Sequence, residues 1–261
     1  MRRAPIAALL LALSTILTTA PAPAAAAITT DGAEVYLLRW INQARADRGL
    51  VSLTGWGILA DVSGYRARRM ANTGTLNHTV AGDLGGQVTS SGADWYRYGE
   101  TIAWSSPRAP IDAAWAIYRA WRGSSAHWSL LMSSRFNYVG AGLAVRGADG
   151  RTYGSVVLTE SRDHSPAVAR LTGVSRSGDD LTWTWTGADR RLQTHTAGLR
   201  DFDVQLRIGS GSWVLRANDT ENRRMTFADL PHGQRYELRV RATDRRGNVG
   251  AWSSSLGASI P

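Results

Sequence analysis

The chain has 261 residues and a net charge of +9, and all 30 of its basic residues are arginine, set against 21 acids. It contains no cysteine, which excludes disulfides and thiol chemistry and leaves apolar cores to hold each folded unit. The arginines are spread over both halves, with nothing longer than pairs such as Arg190-Arg191, Arg223-Arg224 and Arg245-Arg246. That argues against a nucleic-acid groove and for no more than weak attraction to anionic surface polymers.

In chain order, residues 1–27 read as a signal peptide: Arg2 and Arg3, an apolar stretch from Ile6 to Leu17 too short to span a bilayer, then Ala25-Ala26-Ala27 as a small-residue cleavage site. No later segment is apolar for long enough to cross a membrane, so the chain is expected to be exported and soluble. Glu34 to Arg48 carries Val35, Leu37, Leu38, Ile41 and Ala44 at a helical period. Asp31 is the expected N-cap, with Glu34 at the capping-box spacing. A second helix is predicted from about Trp56 to Ala71, weakened by roughly 1 kcal/mol at Gly64. A third follows Pro110, with Asp112 in its first turn favouring the dipole. The stretch between these two helices reads as loop with short strands. Val139 to Val145 and Tyr153 to Glu160 are predicted strands joined at Ala148-Asp149-Gly150, hence antiparallel. The expected class is α+β, with helices covering an antiparallel sheet.

The texture changes at Ser161 to Val168, and alternation at period 2 then dominates. Leu181-Thr182-Trp183-Thr184-Trp185, Phe202 to Ile208 and Tyr236 to Ala242 are the clearest cases. About seven short strands are expected, the pattern of an all-β sandwich. Leu230 and Pro231 ahead of Tyr236 resemble the corner-tyrosine region of a fibronectin type III domain, with Trp185 as the expected core tryptophan. The expected units are therefore 31–163 and 166–261.

Three stretches carry the chemistry: Leu76-Asn77-His78-Thr79, Tyr98-Gly99-Glu100-Thr101-Ile102-Ala103, and Ala126-His127-Trp128-Ser129-Leu130. In this order they resemble the cavity motifs of the CAP superfamily, the cysteine-rich secretory, antigen 5 and pathogenesis-related proteins (SCP-like domain). The resemblance covers about Asp31 to Asp163 and implies an α/β/α sandwich. It also implies a cavity lined by His78, Glu100 and His127. The family's second acid would fall at Ser124, where it is missing, and Trp128 stands where bacterial members usually have arginine. Two imidazoles and a carboxylate suit a divalent metal such as zinc, with His78, His127 and Glu100 as ligands, or proton transfer with Glu100 as base. One carboxylate cannot easily be both ligand and base. Spacings of 22 and 27 residues contain no local His-Glu-x-x-His geometry.

Three functions remain open at this level. The first, favoured by the missing acid, is a non-enzymatic extracellular binding module for a cell-wall, glycan or lipid ligand. The second is a metal-assisted hydrolase. The third is a surface protein in which the His/Glu set only stiffens the fold. Ser124 or Ser125 beside His127 lacks a nucleophile turn, and no serine-hydrolase, phosphate-loop or dinucleotide signature is present. His164, His195 and His232 are expected at the surface. Trp40, Trp56, Trp115 and Trp121 are expected in the core, while Trp95, Trp104 and Trp128 flank the motifs and could line a cleft.

Overall fold

The computed structural model describes residues 30–261, so the predicted signal peptide lies outside the described residues. The first unit contains α1 (Thr30–Ala46), β1 (Thr54–Gly55), α2 (Gly57–Thr73), α3 (Leu84–Ser90), β2 (Arg97–Ser105), α4 (Pro110–Arg122), α5 (Ser125–Leu131), β3 (Tyr138–Val145) and β4 (Thr152–Glu160). Its sheet runs β1-β3-β4-β2, with only the β1–β3 contact parallel. The pleat sends alternate residues to opposite faces. Val139, Ala141 and Leu143 of β3 and Val156 and Leu158 of β4 meet Leu37 and Ile41 of α1 and Ile117 and Trp121 of α4. Tyr138, Tyr153 and Val157 face the other way, towards Leu59, Val62 and Met70 of α2. The sheet is thus sandwiched between helices, as predicted.

Several local expectations give way. Helix α1 already includes Thr30, so Asp31 lies in its first turn. Glu34 closes no capping box and instead accepts from the Leu143 backbone N–H at 2.5 Å. The loop between α2 and α4 contains a short helix, α3, and a nine-residue strand, β2. Gly64 is less a weak point than a fitting: β-carbons on Gly140 and Gly142 would lie 2.1 Å from Leu59 C and 2.3 Å from Gly64 N. The glycines of β3 form a floor on which the α2 backbone rests.

Seven strands make the second unit: β5 (Val168–Ser177), β6 (Asp180–Ala188), β7 (Leu199–Ile208), β8 (Val214–Thr220), β9 (Arg224–Phe227), β10 (Gln234–Asp244) and β11 (Leu256–Ile260). They form two antiparallel sheets, β11-β10-β7-β8 and β5-β6-β9, a β-sandwich. Tyr236 donates its hydroxyl to the Pro231 carbonyl at 2.9 Å, the corner contact expected from the sequence. Trp183 shares the core role expected of Trp185: both are buried, and Trp183 also donates to Leu256 O.

The units are sewn together rather than merely linked. Leu192, from the segment between β6 and β7, is buried in the first unit's core with Leu59, Val62 and Tyr138. Gln193 accepts from the Val51 N–H, Asn137 donates to Thr194 O, and Asn248 donates to Asp163 O. His164 and His195 are exposed as expected, yet each bonds a carboxylate of the first unit, Asp94 and Glu160 respectively.

Candidate functional site

Glu100 sits on β2, on the sheet face turned towards α2. Its side chain is only 2% exposed and its ion-pair partner Arg66 only 1%. Burying a lone carboxylate costs several kcal/mol or drives it to take up a proton, so its partners decide its state. Arg66 grips it with two bonds, Nε to Oε1 at 2.5 Å and Nη2 to Oε2 at 2.9 Å. Ser155 donates to Oε1 at 2.7 Å, and His78 Nδ1 lies 2.8 Å from Oε2. All four acceptor positions of the carboxylate are taken. Burial raises its pKa, but Arg66, His78 and Ser155 outweigh burial and hold it below the ordinary carboxylate value.

Arg66 does more than pair. It also donates to the carbonyls of His78 and Gly82 and to the side chain of Gln87. Gln87 is delivered by α3, whose N-cap Asp83 accepts from Gly86 N at 2.6 Å. Asn77 accepts from both the backbone N–H and the hydroxyl of Thr79, an Asx turn that shapes the loop holding His78. One buried guanidinium therefore ties α2, the His78 loop, α3 and β2 together.

His127 comes from α5. The end of that helix is pinned by buried Arg45, which donates to the carbonyls of Leu131 and Ser133 at 2.8 and 2.9 Å. Burial alone lowers the Arg45 pKa to about 10. The His127 pKa is lowered first by burial and then by the charge of His78. Ser124 occupies the N-cap position of α5 and makes no side-chain capping bond. Trp128 turns away, edge-on to Tyr118, with Arg48 over its ring.

Of the three motif residues, His78 touches Glu100 directly, and His127 has no hydrogen bond or ion pair with either among the described residues. His78, Glu100 and His127 do not offer three ligand atoms mutually within 4.8 Å. Among the described residues the group that does is Asp163, Asp189 and Asp244, at the seam between the units. Those oxygens already accept from Ser165, Ala197, Gly198, Arg246 and Asn248 N–H groups. Sequence reasoning missed Arg66, Ser155 and Gln87.

The aromatic residues divide differently from expectation. Trp121 is fully buried, but Trp115 is 42% exposed and stacks on the buried Tyr118. Trp104 is exposed beneath Arg151. Trp95 and Tyr98 line a cleft of about 570 Å³ together with residues of α5 that flank His127.

No known family profile matches the chain, and no curated protein does. Among solved structures it is similar to an extracellular SCP-domain protein from Bacillus anthracis, at 19% identity over 50% of this chain and 41% of that one, with a TM-score of 0.44. It is also similar to an outer surface protein from Borrelia burgdorferi, at 18% identity over 52% of this chain and 98% of that one, with a TM-score of 0.45. A third likeness is to a fibronectin-type-III-like protein from Clostridium thermocellum, at 19% identity over 37% of this chain and 95% of that one, with a TM-score of 0.27. The chain thus spans less than half the length of the Bacillus protein.

Proposed function

We propose that this is an exported CAP-type binding module without catalytic activity, in which the His/Glu set braces a ligand-binding surface. The observation behind this reading is the filled coordination of Glu100. A general base must have a free lone pair within reach of the proton it takes, and both oxygens of Glu100 are spoken for by Arg66, Ser155 and His78. The low pKa set by those partners also makes it a weak base.

A divalent ion such as zinc would, on this reading, be held by the imidazoles of His78 and His127. Glu100 would act behind His78, fixing the ring through Nδ1 and leaving Nε2 outward. With only two protein ligands, binding would be modest. Among the described residues no helix is long and apolar enough to cross a membrane.

The test is Glu100→Gln, which keeps shape but removes charge. Hydrogen exchange at residues 76–82 should quicken, because Arg66 and His78 lose their common anchor. Zinc-dependent hydrolysis of peptide or ester substrates by the native chain, lost in Glu100→Gln, would sink the proposal and install the hydrolase.

A further inference from the structure

We infer that the cleft between Trp95, Tyr98 and α5 binds an acidic saccharide. This rests on the binding-module reading and names its ligand class. Both rings are large and half-open, at 38% and 39% exposure, yet neither is loose. The indole of Trp95 donates to Thr89 Oγ1 at 3.0 Å. The Tyr98 ring lies so close to Gly85 that a β-carbon there would stand 2.8 Å from its hydroxyl. The rings meet edge-on, with centroids 4.7 Å apart and planes at 88°. A right-angled pair held open to solvent contributes little to a core. It offers a pre-set apolar face for the flat side of a sugar, with little ordering left to lose on binding.

The charges select the kind of sugar. The lining includes Arg97 and Arg135, with Ser129 beside Leu130, and contains no carboxylate. Arg97 is engaged by Glu160 at 2.9 Å. Arg135 is exposed and makes no ion pair among the described residues. A fixed aromatic face beside a free guanidinium and a hydroxyl matches a sugar ring bearing a carboxylate, which guanidinium recognises with two bonds. The volume, about 570 Å³, falls within the range of small-ligand sites. An alkyl chain would fare worse, because both rings stay wet and the walls carry hydroxyl and guanidinium groups.

The test is titration of the full chain with a uronic-acid tetramer, following tryptophan emission and heat. A neutral glucose tetramer and oleate serve as comparisons. The uronate should bind, and the neutral tetramer should bind at least about tenfold more weakly. Raising the salt should weaken uronate binding. Arg135→Ala should cost about tenfold and remove most of that salt dependence, and Trp95→Ala should abolish the emission change. Both side chains are solvent-facing, and unchanged melting would show that the variants fold. Equal binding of the neutral tetramer, displacement of uronate by oleate, or an Arg135→Ala variant that binds uronate normally would overturn the inference. If uronate fails to bind while Glu100→Gln still loosens residues 76–82, the ligand class is wrong and the bracing role stands. If Glu100→Gln leaves that segment unchanged, the bracing role itself is at fault.

Discussion

Two glutamates of the first unit, one on α1 and one on β2, face the same problem and meet opposite fates. Glu100 on β2 is buried with a bidentate arginine, a serine and a histidine, and its pKa falls. Glu34 on α1 is partly buried with a single backbone donor, Leu143 N. Burial there outweighs that bond, Asp31 adds to the rise, and the pKa climbs to about 7 from 4.5. The difference shows that burial does not decide a carboxylate's charge; the donors around it do. It also gives the two residues opposite pH slopes. Glu100 contributes stability that is present above 4.5 and lost as pH falls through its lowered value. Glu34 favours the protonated fold, so its contribution is full below 4.5 and lost as pH rises towards 7.

The harshest way to break the contrast is to strip Glu100 of its cation. Arg66→Ala leaves a buried charge unpaired and should cost about 3–5 kcal/mol in urea unfolding. Replacing Arg66 and Glu100 together with Met and Gln should recover part of that. A loss under about 1 kcal/mol for Arg66→Ala would mean that the pair is not buried as described.

Glu34→Gln should do the reverse and stabilise the protein. After allowance for solvent on its open side, the gain should be about 1–2 kcal/mol at pH 8 and near zero at pH 4.5. Unfolding at both pH values checks this, and a gain independent of pH would remove the raised pKa.

The smallest expected effect concerns the imidazoles. His78→Ala removes the like charge beside His127 but not its burial, so the His127 ring should titrate slightly higher while staying below the ordinary 6.5. NMR of the ring protons would read this. An unmoved titration would mean that the rings do not share a site.

Much of this was legible beforehand, because motif and periodicity report different things. His78, Glu100 and His127 stood out as polar residues within apolar runs. Arg66 did not, since Arg66, Arg68 and Arg69 look alike as a solvated helix face. Its position was nonetheless readable: it lies four residues after Val62 and four before Met70, on the buried stripe of α2, whereas Arg68 and Arg69 fall off it. Helices α3 and α5 span seven residues each, too short for a periodic signal. The fate of Glu34 was hidden because its partner, Leu143, is more than a hundred residues away, and local capping rules cannot see across a fold. Ser155, on the strand paired with β2, was invisible for the same reason.

Leu192 has a practical side. Arg190 and Arg191 before it are exposed, while it is buried among Leu59, Val62 and Tyr138. A fragment ending at residue 165 would therefore keep every residue of the His/Glu site and still present a leucine-sized hollow with oily walls. Removing one buried leucine typically costs about 2–5 kcal/mol, and an uncovered apolar hollow invites another molecule to fill it. Such a fragment should sediment as larger, concentration-dependent species than the whole chain does. Anyone dividing this protein into parts for separate study would do better to mutate Leu192 in the intact chain first.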